Sequence, residues 1–460
     1  MKQRICLLLA AALCLAGCTA APAAPASQPA TADTAEAVPA EESARPVLRE
    51  LTRCADGQYY VASGIDESGQ VFLTTVNLYD GRQRVCCSRP GCAHQDESCW
   101  AWMRASTVAQ PQWLDVYTDG ERLYWVNRSD YGHYGMENNT PQSSVFVTGP
   151  EGAAAPPAEW LAGTPNYCGD FLQDNSCMDI RWFTDGETLW AYITSNPPDE
   201  TTGEQTFAAT LVHLAPAPEG SEVPYAAQVV WRQVRDGNTG YVGLLDGQIV
   251  VQVQYPGPDT GSLADNYKNS TSELRVLGCD GTLGEPLLTF TNGDWKNTVN
   301  GTTILDGHWY RMSLHSADLE AVDLCTGESR TLCTLPGAED SNSMTPELVY
   351  NGRLMVDVSD VAGDTRYVID TATGDTVTLP ATWAKDGAVP RAPVFCQVAG
   401  DRCLMLVGTQ DRMLTTMGQD GATYTFNSPL SVYAVSDLGA YLDGDQDWQI
   451  CTLLDPDTIL

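Results

Sequence analysis

The chain repeats one short pattern along most of its length: an Asp-Gly or Asn-Gly pair, then a run of apolar and aromatic residues. The copies are Asp56-Gly57 before Tyr59-Tyr60-Val61, Asp119-Gly120 before Leu123-Tyr124-Trp125, and Asp185-Gly186 before Leu189-Trp190-Ala191. Asp246-Gly247 before Ile249-Val250-Val251, Asp306-Gly307 before Trp309-Tyr310, and Asn351-Gly352 before Leu354-Met355-Val356 follow. A weaker copy is Gly400-Asp401 before Cys403-Leu404-Met405-Leu406. Both central positions of a tight hairpin turn need positive φ, which Gly, Asn and Asp tolerate best, so each pair predicts a β-hairpin. The first six turns lie 63, 66, 61, 60 and 45 residues apart.

Between these turns sits a second hairpin signal, clearest at Ala321-Val322-Asp323-Leu324 with Thr326-Gly327-Glu328, and at Tyr367-Val368-Ile369-Asp370 with Thr373-Gly374-Asp375. Two hairpins give about four strands per unit, and such units recurring at this period read as propeller blades. The fold class is therefore all-β: a β-propeller of seven four-stranded blades over residues 47–460. Two unrelated β-sandwiches would show a linker-like break, and none follows residue 47. Charged residues make up only 18% of the chain, below the usual quarter, which suits strands and turns more than helices. Ser436 to Trp448 separates two strand-like runs, Leu430 to Val435 and Gln449 to Leu453. It reads as an insertion in the last blade that helps close the ring against residues 48–62.

The N-terminus is different. Lys2 and Arg4 precede an apolar run from Ile5 to Leu15, and Leu15-Ala16-Gly17 lead into Cys18. A basic start, a short apolar stretch and small residues before a cut site make a secretory signal over 1–17. The cysteine at the cut resembles the lipobox of bacterial lipoproteins, which implies lipidation of Cys18. Residues 18–46 are Ala-, Pro-, Ser-, Thr- and Glu-rich without aromatics, and read as a lipidated, disordered tether. The expected location is the outer face of the bacterial cytoplasmic membrane, with the membrane a partner through the lipid anchor. The formal net charge is −34, and −36 once Lys2 and Arg4 leave with the signal. A chain so acidic is repelled by nucleic acid, which is excluded as a partner.

The densest chemistry lies in Cys86-Cys87-Ser88-Arg89-Pro90-Gly91-Cys92-Ala93-His94 and on to Cys99. Its spacing is Cys-x4-Cys-x-His-x4-Cys. Cys87, Cys92, His94 and Cys99 could offer three thiolates and one imidazole to a tetrahedral zinc or iron, with Pro90-Gly91 providing the bend. Disulfides are the alternative, since an exported protein can be oxidised. Sixteen cysteines fall to thirteen once Cys6 and Cys14 are removed and Cys18 is acylated, so not all can pair. Three on a metal would leave an even number; one free thiol would explain the parity equally well. The run resembles a Cys-rich loop of uncharacterised propeller-like surface lipoproteins of Gram-positive anaerobic bacteria, on Cys87, Pro90, Cys92, His94 and Cys99. That resemblance implies a cell-surface lipoprotein and no particular activity.

The other cysteines read as structural. Cys168 with Cys177, Cys325 with Cys333, and Cys396 with Cys403 each flank a short loop or turn and are candidate disulfides. Cys54 with Cys451 would lock the two ends of the ring. Asp443, Asp445 and Asp447 alternate as in a calcium loop, but Trp448 and Leu454 stand where an EF-hand needs Gly and Glu. Trp125, Trp190 and Trp309 fall in the repeat strand and are expected in the core. Trp100, Trp102, Trp113, Trp160, Trp295 and Trp383 fall in or near loops, where aromatics can stack on sugar or grip peptide. Gly-x-Ser-x-Gly, His-Glu-x-x-His and Walker loops are absent, and the catalytic residues stay unknown. The expected role is binding or scaffolding, with glycan, peptide or envelope protein as ligand. The alternatives are an extracytoplasmic hydrolase or lyase acting on glycan or peptide, and a metal or redox sensor through the Cys-rich loop.

Overall fold

The computed structural model describes residues 46–62, 70–87, 89–94, 99, 101–104, 114–128, 143–148, 177–195, 206–216, 225–235, 238–295, 304–341, 343–360, 363–379, 393–411, 413–417, 422–427 and 430–454. The signal, the tether and Cys18 lie outside them. Nearly all the described secondary structure is antiparallel strand, with two short helices, Leu263–Lys268 and Leu438–Leu442.

The strands form successive antiparallel sheets, mostly of consecutive strands; Arg49–Glu50 joins the sheet that begins at Cys177–Thr184, and the hairpin Met413–Met417 with Thr423–Asn427 is inserted between the second and third strands of the last sheet. Blade one holds Cys54–Ala55, Gln58–Ala62, Gln70–Asn77 and Gln83–Val85; blade two spans Cys177–Thr184 to Tyr225–Arg235. Blade three spans Thr239–Leu245 to Leu283–Thr291, blade four Ile304–Leu305 to Ser329–Thr334, and blade five Ser343–Tyr350 to Thr376–Leu379. Blade six holds Val394–Ala399, Arg402–Gln410, Leu430–Asp437 and Gln449–Ile450. The expected seven four-stranded blades are thus six. The unit between blades one and two, Leu114–Thr118 to Ser143–Thr148, pairs only three strands among the described residues.

The repeat turns are where the sequence placed them, in two forms. At Asp56-Gly57, Asp246-Gly247, Asp306-Gly307 and Asn351-Gly352 both residues have positive φ, giving two-residue hairpins. At Asp119 and Asp185 only the glycine does. Thr118 there faces Leu123 and Thr184 faces Leu189, so the loop is longer. The aspartate side chain holds it, accepting from the N–H groups of Glu121 and Arg122 at 2.9 and 2.8 Å, and of Glu187 and Thr188 at 2.9 and 2.7 Å. The cause is register. In Asp-Gly-Glu-x-Leu the first apolar residue comes one position later than in Asp56-Gly57-Gln58-Tyr59, so the turn must absorb more chain.

Apolar side chains from facing sheets fill the gaps between blades. Trp309 is buried with Val250 and Leu274 between blades three and four. Trp190, Tyr192 and Phe183 meet Ile249 and Val251 between blades two and three. Met344, Leu354 and Val356 meet Tyr310 and Leu319 between four and five. Trp190 and Trp309 are core, as expected; the side chain of Trp125 lies outside the described set. The 436–448 insertion is the helix Leu438–Leu442, capped by the Asp437 side chain. Leu438, Tyr441 and Leu442 wedge between blades five and six, and Asp443 pairs with Arg353.

Two chain ends close the ring at different radii. At the inner edge, residues 47–55 run as a strap. The Leu48 N–H bonds Gly247 O at 2.8 Å, Arg49–Glu50 pair with Thr184 and Phe183, and Thr52 bridges Thr118 before the chain enters blade one. Leu48 is buried between blades two and three. At the outer edge, Thr452 bridges Arg82 in parallel, donates its N–H to Gly81 O and accepts from Gln83 N–H. Between these edges Tyr59, Val76 and Leu78 of blade one bury against Leu404, Val435 and Cys451 of blade six.

Gly247 and Gly307 share a left-handed backbone, with φ of 72° and 73°. A Cβ on Gly247 would lie 2.4 Å from Val47 Cγ1, whereas one on Gly307 would meet nothing within 4 Å. Replacing either by Ala costs roughly 1 kcal/mol for the backbone alone. Gly247→Ala should cost clearly more than Gly307→Ala in urea denaturation, because the strap must also move. Equal losses would contradict the strap's place.

Candidate metal centre

The cysteine-rich segment leaves blade one part-way along its outer edge. Strand Gln70–Asn77 pairs with Gln83–Val85 through Thr74 to Val76, and with Trp102–Arg104 through Gln70 to Phe72. Leu73 lies between the two stretches and pins both ends of the excursion. Its carbonyl accepts from Cys86 N–H at 2.9 Å, and its own N–H donates to Ala101 O at 2.8 Å. Leu73, Cys99 and Ala101 are buried, so the loop's base is anchored while Arg89, Pro90, Gly91 and Ala93 are exposed.

Within the loop the backbone turns as Pro90-Gly91 requires. Cys92 N–H donates to Arg89 O at 3.2 Å and Gly91 has φ of 75°, a turn with Pro at its second position and Gly at its third. His94 also adopts a left-handed conformation, φ 56°. Such a backbone is uncommon for a residue other than glycine. These reversals bring the side chains of Cys87, Cys92, His94 and Cys99 together, with their ligand atoms all within 4.8 Å of one another. His94 Nδ1 lies 3.2 Å from Cys99 Sγ.

The residues fit a tetrahedral metal. With bonds of roughly 2.0–2.3 Å the donors of such a site stand about 3.5–3.8 Å apart, so the cluster needs only a small contraction. Burial pushes Cys99 up to about 12; the Ala101 backbone opposes the rise, and the Cys92 and Cys87 thiols add to it. Metal binding by such thiols releases their protons. Cys86, pushed up to about 11 chiefly by burial, is bound to Leu73 through its backbone and stands outside the four-residue set.

The proposed disulfide cysteines are not brought together. Cys396 is the extra residue of a bulge between Phe395 and Gln397 and packs into the core between blades six and one. Cys403 lies opposite Val398 and packs into the core between blades five and six, on the other face of the sheet. Cys325 sits in an exposed turn, whereas Cys333 pairs across from Leu319 near the far end of that hairpin. All four are free thiols. Cys168 lies outside the described residues, as does the side chain of Cys177. Cys54 is in the innermost strand of blade one and Cys451 follows the outermost strand of blade six. Both are free thiols, and both pack against the core between blades six and one.

Two features carried little sequence signal. Arg366 is buried in blade five, donating to both carboxylate oxygens of Asp357 at 2.6 and 2.5 Å and to Tyr441 Oη at 2.9 Å. Glu347 stands at a bulge in the first strand of the same blade. Its own surface is exposed, yet the surrounding protein and then Asp357 push its carboxyl up to about 7, against the pull of Arg366. Of the loop tryptophans, Trp295 stacks under Arg311, 3.5 Å from guanidinium carbon to ring centre. Trp100, Trp113, Trp160 and Trp383 lie outside the described residues, and so does the side chain of Trp102.

No protein-family model matches the chain, and no curated protein matches it. Among solved structures it is similar to prolyl oligopeptidase B from Galerina marginata, at 14% identity over 90% of this chain and 52% of that one, TM-score 0.44. Pyrococcus horikoshii acylaminoacyl peptidase is 13% identical over 91% and 55%, TM-score 0.42. The β-propeller domain of the Trilobed protease from Pyrococcus furiosus, described as having an open velcro topology, is 9% identical over 89% and 98%, TM-score 0.41. The chain spans about half the length of the first two. Likenesses this weak carry no argument about activity.

Cobalt(II) tests the geometry. Added under reducing conditions, it should give the intense visible bands of a tetrahedral thiolate site at one ion per chain. Binding should weaken as pH falls, because the metal must displace protons from thiols. His94→Ala should diminish and shift those bands; an octahedral spectrum in the unaltered protein would exclude the four-ligand centre.

Proposed function

We propose that this chain is a lipid-anchored protein of the bacterial cell surface. Its propeller serves as a binding scaffold, and its Cys-rich loop is organised by zinc. The observation that carries the reading is the convergence of Cys87, Cys92, His94 and Cys99 on a loop anchored at both ends to Leu73. A set of three sulfurs and one nitrogen with no open position suits structural zinc; iron is the second choice for the same donors. A closed site of this kind shapes the loop around it, and so presents Arg89, Pro90 and Ala93 on a fixed surface.

Membrane attachment through Cys18 rests on the leader and the Leu15-Ala16-Gly17-Cys18 run. With the anchor at the outer face of the cytoplasmic membrane, ligands would be envelope glycans, peptides or proteins. A second reading is an extracytoplasmic enzyme, which would draw on the carboxyl of Glu347 in blade five, pushed up to about 7 by the surrounding protein and then by Asp357.

The anchor is tested in a Gram-positive host expressing the full chain. The unaltered protein should take up labelled fatty acid and enter the detergent phase on partition. Cys18→Ser should do neither. An unaltered protein that stays in the aqueous phase without label would overturn the anchor.

A further inference from the structure

The outer strand of blade one has two neighbours, and both bear on ring closure. Gln83–Val85 is only three residues long, and its inner side is held by Thr74 to Val76. Its start is held by the C-terminal segment. Gln83 N–H donates to Thr452 O at 3.0 Å, Leu454 N–H donates to Gln83 Oε1 at 3.0 Å, and Thr452 N–H donates to Gly81 O at 2.8 Å. Gln449 Nε2 reaches Asp80 O at 2.6 Å. Past its end, Cys86 bonds Leu73 and Cys87 supplies the first metal ligand. One short strand therefore links the four-ligand cluster to the segment that closes the ring.

A strand of this length holds little by itself. Among the described residues of the loop beyond it, the buried apolar groups are Cys99 and Ala101. Binding free energy at such a site is ordering free energy for its loop.

We infer that metal occupancy of the Cys-rich loop controls how firmly the C-terminal segment Gln449–Leu454 closes the ring. The inference rests on the metal reading above. With the four side chains drawn onto one ion, the loop and strand Gln83–Val85 hold their register, and the edge that Thr452 and Leu454 pair with is fixed. Without the ion that edge frays and the latch opens more often. Linkage makes the coupling reciprocal: loosening the latch must weaken metal binding by the factor by which metal tightens the latch.

The test uses the full chain, reduced, with and without one equivalent of zinc. Amide hydrogen exchange is followed in the peptide spanning 449–454, and zinc affinity is measured by chelator competition. Zinc should slow exchange there by about tenfold or more, while the blade-three strand Gln248–Tyr255 is unchanged. Gln449→Ala removes a latch bond from the C-terminal side and leaves all four ligands in place; Gln83→Ala removes one from the other side together with the Gln83 Nε2 bond to Thr74 Oγ1 inside blade one, so Gln449→Ala is the deciding variant. Each should weaken zinc binding severalfold and reduce the protection zinc confers. Zinc bound at one per chain, with exchange and variant affinities unaltered, would overturn the coupling and leave the metal centre standing. No zinc bound at all would overturn both.

Discussion

A ring of sheets has no end strand to hide, but it has a seam, and the seam governs this fold. Every other blade follows its neighbour along the chain, so packing between them costs little loop-closure entropy. Blades six and one are joined across almost the whole sequence. Tyr59, Val76 and Leu78 bury against Leu404, Val435 and Cys451 there, and Arg402 Nε donates to Leu78 O at 3.1 Å. The strap at the inner edge and the latch at the outer edge hold the same seam at two radii. The strap crosses from blade three to blade one, so it also secures the three-stranded unit through Thr52 and Thr118.

The candidate metal centre sits beside that seam. A loop with four potential ligands needs a rigid base, and the base is one buried residue, Leu73, bonded to both ends. The excursion from the sheet edge requires Gln83–Val85 to stop early and pairing to resume at Trp102. Reversals at Gly91 and His94 turn the ligands inward. In a strongly acidic protein, three thiols and an imidazole form an unusual concentration of soft donors.

Much of this was legible in the sequence because it depends on local rules. Asp-Gly and Asn-Gly turns, the apolar runs after them and the Cys-x4-Cys-x-His-x4-Cys spacing all act over a few residues. The blade count was less legible, because Asp119-Gly120 marks a hairpin without specifying how many strands follow it. The disulfide expectations for Cys396 with Cys403 and Cys325 with Cys333 took closeness along a hairpin for closeness across it. A bulge at Cys396 turned its side chain to the opposite face from Cys403, and no sequence signal marks that bulge. Arg366 was hidden for a different reason: its partners Asp357 and Tyr441 come from a neighbouring strand and a helix far along the chain. The 436–448 insertion was expected to close the ring against residues 48–62, but its helix packs between blades five and six; the strap and latch that do close it are long-range pairings that periodicity does not encode.

The claim that joins these observations is that Cys87, Cys92, His94 and Cys99 ligate one metal. X-ray absorption at the metal edge, on protein purified without oxygen from its native host, tests it most directly. The account predicts zinc with about three sulfur neighbours near 2.3 Å and one nitrogen near 2.0 Å. A shell of light atoms only, or no bound metal with the three cysteines joined in disulfides, would contradict it.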